Sequence, residues 1–127
     1  MHVNYKGKIP AEDVVVAMQD AKIVLSTMTW FKDGTHDRVF NGMLQGAVAV
    51  SDTSIYMKEV FNRNCDEKEL VMFELEEIQK LPEFVKELLA NPKEAQMIAD
   101  RGYAKAKAEH TWRARAEELD RDLLSQI

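Results

Sequence analysis

The run Asp33-Gly34-Thr35-His36-Asp37-Arg38-Val39-Phe40-Asn41-Gly42-Met43-Leu44-Gln45-Gly46-Ala47-Val48-Ala49-Val50-Ser51-Asp52 packs a loop end, a helix and a buried strand into consecutive residues. Val39, Phe40, Met43 and Leu44 recur at helical spacing, so residues 36–45 read as an amphipathic helix. Gly46 is a good helix stop. Residues 47–50 are short and apolar, which suits a strand covered on both faces.

The same alternation extends outward. Upstream, residues 3–5 read as a short strand ended by Gly7. Pro10 suits the first turn of a helix, with Glu12 and Asp13 at its positive end. Val14, Ala17, Met18 and Ala21 continue it, and Ile23-Val24-Leu25 marks a buried strand over 22–26. Downstream, Asp52, Thr53 or Ser54 can cap a helix that buries Tyr56, Met57, Val60 and Phe61. Residues 62–67 form a polar loop and 70–73 a fourth strand. The last third is helical: Leu81, Phe84, Val85, Leu88 and Leu89 make one apolar face behind Pro82. Asn91-Pro92 begins a helix with Ala95, Ile98, Ala99, Gly102 and Ala106 on one side. His110-Thr111 is a junction, and Trp112 is expected to anchor the last helix against the sheet. Alternating strands and helices predict an α/β fold: a Rossmann-like, three-layer parallel sheet of about four strands with C-terminal helices, as one domain over 1–127.

Bulk properties agree with a globular domain and narrow its partners. Of 127 residues, 46% are hydrophobic and 31% charged, the balance of a folded chain. The net charge of −5, without a basic stripe, argues against nucleic acid as a partner. No apolar run nears the roughly 20 residues that span a bilayer, and the first residues lack a signal peptide's apolar core. Cys65 is the only cysteine, so no internal disulfide forms, and a cytoplasmic setting is expected. His2, His36 and His110 are too scattered for a metal motif.

The chemistry concentrates before and within the helix over 36–45. Ligands of open α/β sheets bind beyond the carboxyl ends of the strands, where the loop over 27–35 lies. A helix start offers free amides to a phosphate, and Gly34 permits close backbone approach. Asn41 follows Asp33 by eight residues, about two helical turns. A carboxylate and an amide there can both bond hydroxyl groups. Asp33 as a cap or turn residue stays open beside this reading. His36 either faces a ligand or caps the helix. Trp30-Phe31 either border a nucleotide base or pack in the core or an interface. Cys65 reads as a loop thiol, and the acidic runs 66–69 and 74–77 as solvated surface.

The whole run resembles the core motif of retaining GT-B glycosyltransferases. In that family a Glu opens a glycine-containing loop, and a second Glu follows eight residues later on a helix. An Ala-Met-x-x-Gly turn, a buried strand and a Ser-Asp pair come next. Here Asp33, Asn41, Gly42-Met43-Leu44-Gln45-Gly46 and Val48-Ala49-Val50-Ser51-Asp52 take those places. Gly34-Thr35-His36-Asp37-Arg38-Val39-Phe40 and His110-Thr111-Trp112-Arg113-x-Arg115-Ala116 are similar to group 1 transferases of the spore maturation protein-like subgroup.

The resemblance implies a nucleotide-sugar donor domain of a hexosyltransferase-type enzyme. Asp33 would contact hydroxyls of the donor sugar, and Asn41 would hold the ribose. Gly34 and Thr35 amides would meet the diphosphate or sugar, with His36 beside them. Arg38 has no role in the general motif; it either pairs with Asp37 or Asp33 or approaches phosphate. No metal or cofactor is implied beyond the nucleotide-sugar itself. Asp33 is one methylene shorter than Glu, and Asn41 is uncharged, so the ribose clamp is weaker than a carboxylate's.

The family's donor domain opens with two more strands, which carry basic residues, and its reaction lies in a cleft against an N-terminal domain. Neither is recognisable here, so this chain is expected to be a truncated domain, inactive alone, with open sheet edges that favour a homo-oligomer. A non-catalytic binding module of the same fold is the competing reading. A dehydrogenase fragment is disfavoured, because no Gly-x-Gly-x-x-Gly follows the first strand. A receiver-like domain lacks its acidic cluster.

Overall fold

A computed structural model describes residues 5–127. In chain order it has α1 (Ala11–Gln19), β1 (Ile23–Ser26), α2 (Asp37–Leu44), β2 (Val48–Asp52), α3 (Ile55–Val60) and β3 (Val71–Phe73). A 3-10 helix over Leu75–Lys80 leads into α4 (Leu81–Ala90), α5 (Pro92–Glu109) and α6 (Trp112–Ser125). The sheet is parallel in the order β1-β2-β3, with Ile23 opposite Val48 and Val50 opposite Val71. The α/β expectation holds, with three strands among the described residues rather than four. The strand expected over 3–5 lies outside the described residues, except for Tyr5, which belongs to no strand.

Burial explains the layering. All five residues of β2 are buried, as a central strand covered on both faces requires. One face packs Ala49 with Val39 and Met43 of α2, Met57 of α3 and Phe61. The other packs Val48 and Val50 with Leu88 of α4 and Ile98 and Ala99 of α5. The long α5 also sends Ala106 into the first cluster, so it belongs to both cores.

Two glycines are explained by close approach. A Cβ on Gly42 would sit 2.9 Å from the Cβ of Val24, so α2 rests directly on β1. This accounts for glycine where the family turn usually carries alanine. A Cβ on Gly102 would lie 2.5 Å from the carbonyl oxygen of Glu69, so α5 rests on that backbone.

Several local expectations are corrected. β2 runs on through Ser51 and Asp52, and the cap of α3 is Ser54, whose hydroxyl accepts the Met57 N–H at 3.1 Å. Trp112 does not anchor α6 against the sheet: it is 93% exposed. The half-buried side of α6 is instead Thr111, Ala114 and Arg115, and Trp112 projects from another side of the helix. Trp30 is not in the core either, being 96% exposed, because the chain turns outward there and buries Met28 instead. Phe31 is more than half exposed and lies over Gly34. In the acidic runs Glu69 is half-buried and accepts the Asn62 N–H, while Glu74 is exposed as expected and binds Thr53 and Lys58.

Candidate functional site around the loop before α2

The site grows from the carboxyl ends of β1 and β2. Ser26 ends β1 beside Ser51, and Asp52 ends β2, all almost wholly buried. The Asp52 carboxylate is matched by backbone: Oδ1 accepts the Met28 N–H at 2.8 Å. Its Oδ2 and the Ser26 hydroxyl are buried without a partner. Further bonds extend the clamp. Phe31 N–H donates to the Met28 carbonyl at 3.1 Å, and Ile55 N–H donates to the Lys32 carbonyl at 3.0 Å. The loop is thereby tied across the strand ends to the start of α3. Asp33, Gly34 and Thr35 follow directly after this last tie.

His36 then caps α2. Its Nδ1 accepts the Arg38 N–H at 3.1 Å, and Val39 N–H donates to the His36 carbonyl at 3.0 Å. Nδ1 also lies against the Asp37 carboxylate. An Nδ1 that carries a proton donates to Asp37 and one that carries none accepts from Arg38, so the two contacts exclude each other. The cap leaves Asp33 free of that duty. Asp33 is exposed, and its carboxylate bonds no described residue.

The remaining motif residues are equally unengaged. The Arg38 guanidinium is exposed and pairs with neither Asp33 nor Asp37 among the described residues, contrary to one expectation for it. Thr35 Oγ1 is buried without a partner. Asn41 is half-buried on α2, on the side away from Val39 and Met43, and no hydrogen bond joins it to Asp33. The place beside Gly34 is taken by Phe31, whose ring would be 2.3 Å from a Cβ there. Openness at Gly34 thus serves a side chain of the protein itself. A cavity of about 300 Å³ lies elsewhere, near Lys22, Gly46 and Ala99. Asp33 and Arg38 are exposed, while Thr35 and Asn41 are half-buried.

Two features escaped the sequence reading. Asp52 holds the loop; in the sequence it reads only as the acid of a Ser-Asp pair at a strand end or as a helix cap. His110, read as a junction, is a buried hub. Its ring stacks on Phe40 of α2 at 4.7 Å and leans on Phe61. Its Nδ1 faces Arg115 Nη2 at 2.7 Å, and Arg115 also donates to the Tyr56 hydroxyl at 2.8 Å. A guanidinium only donates, so Nδ1 is the acceptor and the neutral proton sits on Nε2. Burial, then the Arg115 charge, holds His110 below the ordinary histidine value. Glu74, at the end of β3, is held below the usual carboxylate range by its bonds to Lys58 and Thr53. No described helix is long and apolar enough to cross a membrane.

Among known proteins, a family model described as glycosyl transferase-like matches residues 2–121. No curated protein and no solved structure matches the chain.

Proposed function

This chain belongs to the glycosyl transferase-like family, and we propose that it is the donor-binding domain of a GT-B, group 1 transferase acting on a nucleotide-sugar. One observation carries the reading: the loop is clamped and α2 is capped by other residues, so Asp33, Thr35 Oγ1, Arg38 and Asn41 remain without protein partners. Asp33 would bond hydroxyls of the donor sugar. Asn41 would accept and donate to the ribose. Arg38, the cation of this group, would approach the diphosphate. In a retaining transfer the bond from the anomeric carbon to the diphosphate breaks, and an acceptor hydroxyl receives the sugar with its configuration kept.

Preorganised charge at the leaving diphosphate is the largest electrostatic need of such a reaction. Arg38 alone meets it poorly. The reaction also needs an acceptor side, which the family places on a second domain of the same enzyme. Turnover by this chain alone is therefore expected at background. A non-catalytic binding module of the same fold is the second reading, favoured by the uncharged Asn41.

The test is titration with UDP, GDP and their sugars, followed by amide NMR. Shifts confined to Gly34, Thr35 and Asn41 are expected. A spectrum unchanged by every nucleotide and nucleotide-sugar would overturn donor binding, and binding without turnover in the full enzyme would favour the second reading.

A further inference from the structure

The last helix carries an apolar seam that the domain leaves uncovered. Trp112, Ala116, Leu119 and Leu123 follow one another by four, three and four residues, the spacing of a two-heptad coiled-coil stripe. All four are exposed, with Trp112 at 93% and Leu119 and Leu123 near 60%. The body of the domain holds α6 by its first turn, where the Arg115 guanidinium bonds Tyr56 and His110. The seam thus continues a helix whose first turn is already built and held, so the cost of nucleating it is met by the fold.

The flanks of the seam say what covers it. Arg113 and Asp120 lie along one side, Arg115 and Asp122 along the other. Basic residues thus flank the first heptad and acidic ones the second. Two copies laid antiparallel bring the basic half of each against the acidic half of the other. Arg113 of one copy then meets Asp120 of the second, twice by symmetry. The helix dipoles also oppose, which is favourable. A parallel pair would stack Trp112 on Trp112 and rely on Arg115, which is already bonded to Tyr56 and His110.

We propose that the α6 seam is a self-association surface, on which a second copy of this chain docks its own α6 antiparallel. The contact is two heptads long, so the dimer is weak and concentration-dependent. Arg113 is 89% exposed and holds only Glu117 of its own helix at 3.0 Å, a surface pair that it can exchange at little cost.

Sedimentation velocity of the full chain from micromolar to millimolar concentration tests this. A monomer–dimer equilibrium is expected, and Leu119→Glu should weaken it by at least about tenfold, equivalent to 1.4 kcal/mol. Leu119 is exposed, so the variant should unfold at the same temperature as the parent when dilute. Arg113→Asp should weaken the dimer, and Arg113→Asp combined with Asp120→Arg should restore it. A chain that stays monomeric throughout overturns the proposal. So does a dimer indifferent to Leu119→Glu, which would place the contact elsewhere.

Discussion

Asp52 shows how one side chain governs a loop. Its side chain is buried and its Oδ1 accepts the Met28 N–H, so the loop before α2 is fixed by a side-chain-to-backbone bond inside the protein. Asp52→Ala leaves that buried amide unpaired, which costs about 1–3 kcal/mol. Thermal unfolding should register the loss, and the amide resonances of Gly34 and Thr35 should broaden or move as the loop loosens. Asp52→Asn keeps an acceptor in place and should cost distinctly less. Glycines at the same scale behave differently according to their neighbour. At Gly34 an added methyl meets the far end of the Phe31 side chain, which can swing away. At Gly102 it meets the Glu69 carbonyl, which cannot. Gly102→Ala should therefore lower stability by up to about 2 kcal/mol, since overpacking of about 1–3 kcal/mol is offset by about 1 kcal/mol of helix propensity. Gly34→Ala should leave the melting temperature nearly unchanged.

At the scale of elements, the corner between α5 and α6 is set by His110. It joins α2 through Phe40 and α3 through Arg115 and Tyr56. The bonds need a neutral ring, and the ring's value in the fold lies below the ordinary 6.5. At pH values above 6.5 the ring is neutral in both folded and unfolded chains, and this contribution is complete. As pH falls below 6.5 the unfolded chain takes up the proton first, so stability declines until the folded value is passed. Urea unfolding followed across that window should show the decline. His110→Gln, which cannot titrate, should flatten it. In the motif helix α2, spacing alone identified the buried side, because Val39 and Met43 needed no distant partner to be recognised. His36 reads from sequence as cap or ligand, and its Nδ1 on the Arg38 amide makes it the cap of α2.

Among the described residues, a three-stranded sheet has β2 at its centre with β1 and β3 on either side, and helices cover both faces. Asp33, Arg38 and Asn41, the residues proposed to meet a donor, lie on and before α2, whereas the seam lies on α6. Nucleotide binding and self-association should accordingly be separable: Leu119→Glu should leave NMR shifts at Gly34 and Asn41 unaltered while it removes the dimer.

Local order was written along the chain. Helical spacing, the glycine after α2 and the apolar run of β2 each act over a few residues, so the α/β architecture and the family motif were legible without coordinates. Distant pairings were not. The bond from Asp52 to Met28 spans 24 residues and that from Arg115 to Tyr56 spans 59. Nothing in a one-dimensional pattern fixes which polar groups meet once the chain closes. Trp112 makes the same point for apolar groups. Its size suggested the core, yet its position on α6 turns it outward. Burial is decided by which side of a helix the rest of the fold covers, and only tertiary packing makes that choice.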